Sequence, residues 1–483
     1  MYRAEKEAED KEQREDSKGS KGREQGKDRE QGKDREQRED KGQREDSTGS
    51  KDREQSKGRE QGKSGSIAQG PAGGRVRKGL RCQICVGCGL CPGAAPGYRP
   101  AGAGGPGTVT VLTDSVFTGE MPGGLTGKVR LVTADVGTTT VAMLLYGAEG
   151  AAEDRYLAVN PQTAYGADVI SRIRAAEDGA KAGDMRRQIR EVLEQGLRRF
   201  QKRLSPGESM RLVLAANTTM TYLLMGWDTS ELGRAPFRAA RLSAVETELA
   251  GVPCFVFPGI SAFVGGDITA GMYACGMGDR EDITLLIDLG TNGEIVLGGR
   301  EKRIACATAA GPAFEGGVNR GVWGADMVSR LAALRRAGLL DETGLLAEEY
   351  FEKGVLVGNV RVTQEAVRAL QLAKGAAAAG IGTLLDRYGI GPEQVDRVVL
   401  AGGFGYYLRP EDGVQIGLLS AELAEKAVAG GNTALSGAWK AGRERIAGRG
   451  VTEELERLVN GTVVLNLAAE PDFEERYYRA MNL

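Results

Sequence analysis

One short pattern constrains this chain more than any other, because it occurs twice. An apolar run ends in an aspartate, a tight turn of glycine and threonine follows, and a second apolar run leads away. The first copy is built around Asp135-Val136-Gly137-Thr138-Thr139 and the second around Asp288-Leu289-Gly290-Thr291-Asn292-Gly293. The two lie about 150 residues apart, and each opens a stretch in which strand and helix patterns alternate. A repeated hairpin of this kind predicts a duplicated α/β module with its ligand between the copies.

The flanking patterns fill in the two modules. Val129 to Asp135 and Thr139 to Tyr146 read as strands, with a third near Tyr156 to Val159. Ala167 to Leu204 reads as mostly helical, and Leu212 to Ala216 returns to strand. In the second module Ile283 to Asp288, Glu294 to Leu297 and Ile304 to Thr308 read as strands and Thr363 to Tyr388 as a helix. Val395 to Leu400 is a buried strand that ends in Ala401-Gly402-Gly403-Phe404-Gly405.

The hairpin turns suit phosphate. Glycine removes the side chain, so successive backbone N–H groups can close on phosphate oxygens, and threonine hydroxyls add donors. An aspartate beside them can hold Mg²⁺, usually through water, because Mg²⁺ sheds its waters reluctantly. Asp135 and Asp288 are the metal candidates, and Glu294 or Asp168 the candidates for orienting an attacking water. One Asp-Gly-Thr is ordinary hairpin turn chemistry. Two copies after buried strands, with a late Gly-Gly against which a purine nucleoside can lie, favour nucleotide binding. Pro161 to Ile173 carries no nucleotide logic of its own; a structural crossing and a functional role both fit it.

Outside these modules the composition changes. Residues 1 to 74 repeat the unit Arg-Glu-Gln-Gly-Lys-Asp imperfectly and hold almost nothing apolar, so they are expected to be disordered rather than helical. Residues 75 to 128 carry Cys82, Cys85, Cys88 and Cys91, followed by Pro92 and a Gly/Pro-rich stretch with a short strand at Thr108 to Leu112. Four thiolates at two-residue gaps can converge on one centre. The nearest pattern is the bacterial ferredoxin run, whose last gap is one residue longer, but four cysteines also suit zinc. Residues 129–275 and 276–483 are the two α/β lobes. Cys254, Cys275 and Cys306 sit in apolar surroundings and read as core.

The chain of 483 residues contains no histidine, which excludes a Ser-His-Asp triad, a Cys-His pair and His-ligated zinc. Its net charge of −2 gives no pull towards nucleic acid or membrane surfaces. No apolar run reaches the roughly 18 residues of a membrane span. The charged N-terminus does not read as a signal peptide, so the expected location is the cytoplasm.

The order of first phosphate loop, second phosphate loop and glycine loop resembles the superfamily of sugar kinases, actin and the seventy-kilodalton heat-shock chaperones. Within it, the wording is similar to the reductive activators of corrinoid proteins. The matching stretches are Thr133 to Thr140, Asn160 to Arg172, Ala216 to Met220, Ile287 to Glu294, Thr308 to Gly316 and Ala401 to Gly405, within residues 129 to 483. The resemblance implies two actin-like (ribonuclease H-like) ATPase lobes and an ATPase coupled to electron transfer. ATP phosphates would lie on Gly137, Thr138, Thr139, Gly290, Thr291 and Asn292, and the nucleoside near Gly402 and Gly403. With Mg²⁺ and an iron–sulfur cluster, the protein would return a Co(II) corrinoid on a methyl-transfer protein to Co(I), drawing on a separate electron donor. The corrinoid would be the partner's, and a homodimer is compatible with this role. Those activators resemble a plant-type ferredoxin domain fused ahead of the ATPase, and no such sheet is legible in residues 1 to 128. A small-molecule kinase and a nucleotide-switched binding protein with structural zinc share the fold. The dehydratase activators do as well, but they keep their cysteines inside the ATPase core.

Overall fold

In a computed structural model, the described residues are 113, 127–290, 292–309, 311–314, 324–358 and 360–483. Residues 1 to 74, the four clustered cysteines and the strand expected at Thr108 to Leu112 lie outside them.

The first lobe is a six-stranded sheet of β1 (Val129–Val136), β2 (Thr140–Tyr146), β3 (Ala152–Val159), β4 (Ser209–Ala216), β5 (Val245–Leu249) and β6 (Val252–Val256), in the order β3-β2-β1-β4-β6-β5. The first three strands are antiparallel neighbours, while β1–β4 and β4–β6 are parallel. β1 is central and its interior residues are buried, as its unbroken apolar reading requires. The helical stretch is two helices, α1 (Val169–Ala176) and α2 (Gly179–Gln201), because Asp178 caps the second and interrupts the first. A short helix α3 (Thr218–Met225) follows β4, and α4 (Gly266–Cys275) follows β6.

The second lobe repeats this plan. Its sheet contains β7 (Thr284–Leu289), β8 (Gly293–Gly298), β9 (Arg303–Thr308), β12 (Arg397–Ala401), β13 (Ala427–Gly431) and β14 (Thr462–Leu465), in the order β13-β12-β7-β8-β9-β14. A small ribbon of β10 (Val355–Val357) and β11 (Val360–Val362) stands apart. The helices that matter here are α5 (Gly324–Arg336), α6 (Gln364–Tyr388), α7 (Gly402–Tyr407) and α8 (Thr433–Ile446). In both sheets three antiparallel strands lead into parallel neighbours, which is the duplication read from the sequence. Helix α6 begins where expected, with the Thr363 hydroxyl accepting from the Ala366 amide.

One apolar core joins the two lobes. It takes Leu131, Ala215 and Phe257 from the first, Leu286, Val296 and Val399 from the second, and α4 and α8 between them. The two helices cross at backbone contact. A Cβ on Gly437 would collide with the Ala270 carbonyl, and one on Gly271 would lie 2.9 Å from the Thr433 hydroxyl. No helix among the described residues is long and apolar enough to cross a membrane.

Candidate functional site

The ends of the central strands meet at the cleft between the lobes. Asp135 lies near the end of β1 and Asp288 near the end of β7. Asp288 is directly opposite Glu294 in the β7–β8 ladder. A fourth carboxylate, Asp267, comes from the first turn of α4.

These four groups feel one another. Burial raises Asp135 to about 6, against a partial offset from the Asn432 amide, which donates to its Oδ2 at 2.7 Å. Burial and then the charge of Asp135 raise Asp267 to about 7. Burial, Asp267 and Asp135 raise Asp288 to about 7. Glu294 is only 8% exposed, and burial, Asp267 and Asp288 push it well above the ordinary range. Among the described residues, no lysine or arginine contributes to any of the four shifts. A converging set of acids, with Glu294 buried and Asp135, Asp267 and Asp288 half-buried, is costly unless a cation is brought to it. No group of three Cys, Asp or Glu side chains among the described residues is placed to ligate a metal directly.

The two glycine–threonine turns flank this cluster. The Gly137 amide donates to the Thr140 carbonyl at 2.9 Å and the Gly290 amide to the Asn292 carbonyl at 2.8 Å. Both glycine amides are thus engaged in closing their turns, a detail that the expected phosphate contacts did not anticipate. The Thr138 hydroxyl accepts from Asn217 Nδ2 at 3.0 Å, and Asn217 Oδ1 caps α3 by accepting from the Met220 amide at 2.9 Å. Thr291 lies outside the described residues. Gly402 opens α7 with φ of +72°, and a Cβ there would strike Asp288 Oδ1, so the glycine loop abuts the second aspartate. Gly403 follows it in α7. A cavity of about 240 Å³ lies beside the cluster, lined by Asn217, Thr219, Phe263, Asn292, Glu294 and Thr308 among others.

Asp168 serves another purpose. It caps α1, accepting from the Ser171 amide at 2.9 Å and the Ser171 hydroxyl at 2.8 Å. Burial raises its carboxyl, but these bonds more than offset that, and it stays below the usual range.

The Asn160–Arg172 stretch is packed against the first turn. Asn160 Nδ2 donates to the Gly137 carbonyl at 2.9 Å, and Arg172 Nη2 donates to the Thr138 carbonyl at 2.5 Å. Asp267 and Asn432 escaped the sequence reading. Asp267 did carry a signal, since it follows the Gly265-Gly266 pair where the chain enters a helix. Asn432 is 297 positions from its partner Asp135 and carried none.

Comparison with known proteins agrees with this architecture. Residues 131–280 match the RACo middle region, and residues 282–321 and 318–483 match the C-terminal domain of RACo, the ASKHA domain. The corrinoid activation enzyme RamQ of Eubacterium limosum is 29% identical over 415 residues, which covers 71% of this chain and 68% of that protein. The solved structure of a reductive activator for a corrinoid, iron-sulfur protein is 29% identical with a TM-score of 0.65, covering 74% of this chain. The chain spans 66% of that activator, just under two thirds of its length. The two family matches together take in most of the sequence and both of its sheets, so the chain belongs to the RACo family of reductive activators of corrinoid proteins, within the actin-like ATPase superfamily.

Proposed function

We propose that this protein is an ATP-dependent reductive activator: it binds a magnesium–nucleotide in the cleft and returns an oxidised Co(II) corrinoid, carried by a partner protein, to Co(I). The observation that carries the reading is the set of four converging carboxylates, each pushed upward, between two glycine–threonine turns. Bound Mg²⁺ would supply positive charge there. Asp135 and Asp288 would hold it through water, and Asp267 adds to the field that attracts it. Glu294 is the group to orient an attacking water, since a carboxyl shifted upward is better matched to accept a proton near neutral pH. The turns at Gly137–Thr139 and Gly290–Asn292 would face the phosphates, and Gly402–Gly403 the nucleoside.

Cys82, Cys85, Cys88 and Cys91 lie outside the described residues, and the proposal for them rests on their donor chemistry. Four thiolates would hold an iron–sulfur cluster, which supplies one-electron transfer. With no histidine in the chain, a corrinoid with a histidine lower ligand belongs to the partner. Nucleotide binding across two lobes joined by one core can change how the protein grips that partner's two cobalt states.

The test is reduction of a Co(II)-loaded corrinoid methyl-transfer protein, followed by the absorbance of Co(I), with a low-potential donor and with or without ATP. ATP-dependent Co(I) formation that disappears in Asp288→Ala is the expected result. ATP hydrolysis without any effect on cobalt would remove the redox role and leave an ATPase of another purpose.

A further inference from the structure

We infer that Asn160 and Arg172 are positioning residues that aim the first glycine–threonine turn at the nucleotide's phosphates; the assignment rests on the nucleotide reading above. A trans peptide carries its C=O and the following N–H on opposite sides of one plane. Among the described residues the only cis peptide is Ala235–Pro236, so the planes of this turn are trans. Asn160 Nδ2 holds the Gly137 carbonyl at 2.9 Å, and this turns the Thr138 N–H away from the clamp. Arg172 Nη2 holds the Thr138 carbonyl at 2.5 Å, and this turns the Thr139 N–H the same way. The Gly137 amide is committed to the Thr140 carbonyl. The peptide planes of Gly137–Thr138 and Thr138–Thr139 are therefore both fixed from the clamp side, with the Thr138 N–H set in the orientation that an anion needs.

The clamp is itself fixed. Asn160 Oδ1 accepts from the Gln162 amide at 3.0 Å, so Nδ2 must be the end that faces Gly137. Arg172 Nε donates to the Gly166 carbonyl at 2.9 Å. Both side chains also donate to the Met220 sulfur, at 3.3 and 3.4 Å. Asn160, Arg172 and Met220 are all 0% exposed. Holding a guanidinium out of water against the Thr138 carbonyl is expensive, but it polarises that peptide group. Lysine cannot reproduce this, because it lacks the rigid fork.

The experiment compares ATP, ADP and adenosine binding by calorimetry on the full chain, in wild type, Asn160→Asp and Arg172→Lys. Asn160→Asp is isosteric and keeps the bond from Gln162, but it sets a carboxylate oxygen against the Gly137 carbonyl. Loss of about one oriented hydrogen bond predicts ATP and ADP affinity about tenfold weaker or more, with adenosine affinity unchanged. A residue that merely stabilises the lobe would weaken adenosine in proportion. Unchanged ATP affinity in folded Asn160→Asp, or parallel loss of adenosine, overturns the assignment alone. Wild-type protein that binds no ATP overturns the nucleotide reading and this assignment with it.

Discussion

Asp288 and Glu294 stand directly opposite each other across the β7–β8 ladder, two acids in a register position where a sheet is stabilised by almost anything else. Their placement costs stability that a ligand must return. Glu294→Gln removes the repulsion and keeps the shape. The ligand-free variant should melt a few degrees higher than wild type by calorimetry, while ATP hydrolysis falls about 100-fold or more. Wild-type hydrolysis in this variant would exclude Glu294 from orienting the water.

The same cluster fixes a pH dependence. The folded-state values are about 6 for Asp135 and about 7 for Asp267 and Asp288, against an ordinary 3.8. Between these limits the folded chain holds protons that the unfolded chain has released. Their stabilising effect is complete below about pH 4 and is lost as pH rises through 6 to 7. Melting temperature without nucleotide should therefore fall across that window. With saturating Mg²⁺ and ADP the fall should flatten, because a cation favours the ionised carboxylates. Identical pH profiles with and without the ligand would count against a cation at this cluster.

Gly402 offers a backbone test. Its φ of +72° alone makes any side chain costly, by about 1–2 kcal/mol, and a Cβ would also strike Asp288 Oδ1. Gly402→Ala should lower the melting temperature modestly but reduce ATP hydrolysis far more, since the carboxylate is displaced. An effect on stability with full activity would separate the glycine loop from the site.

The four clustered cysteines predict a colour. Anaerobically purified protein should contain iron and sulfide, with visible absorption that is bleached on reduction and lost in Cys85→Ser, while ATP hydrolysis persists. Zinc without iron, even after reconstitution, would leave the ATPase without its electron carrier.

Much of this was legible because it is local. The strands β1, β2, β7, β8 and β12 are apolar runs buried in sheet centres, and the hairpin turns carry their own residue signals. The edge strands β5, β13 and β14 were not visible, being short and partly exposed. β6 escaped as well, with Pro253 breaking a short run of five residues. At the site, Asp135, Asp288 and Glu294 announced themselves through the duplicated turn. Asn432 could not, since it reaches Asp135 only when α8 is laid against the first lobe. The motif from Asn160 to Arg172 was visible as words without meaning, because its sense lies in carbonyl oxygens that a sequence does not display.

The crossing of α4 and α8 has a bearing on how the cleft can close. With no side chain between Gly437 and the Ala270 carbonyl, the helices already touch main chain to main chain. They act as a spacer of fixed gauge, because backbone cannot be compressed. The floor of the cleft therefore cannot narrow by bringing the sheets together there. Whatever closure the lobes make on a ligand must be a rotation about that seam, with the rim travelling far and the carboxylates near the pivot travelling little.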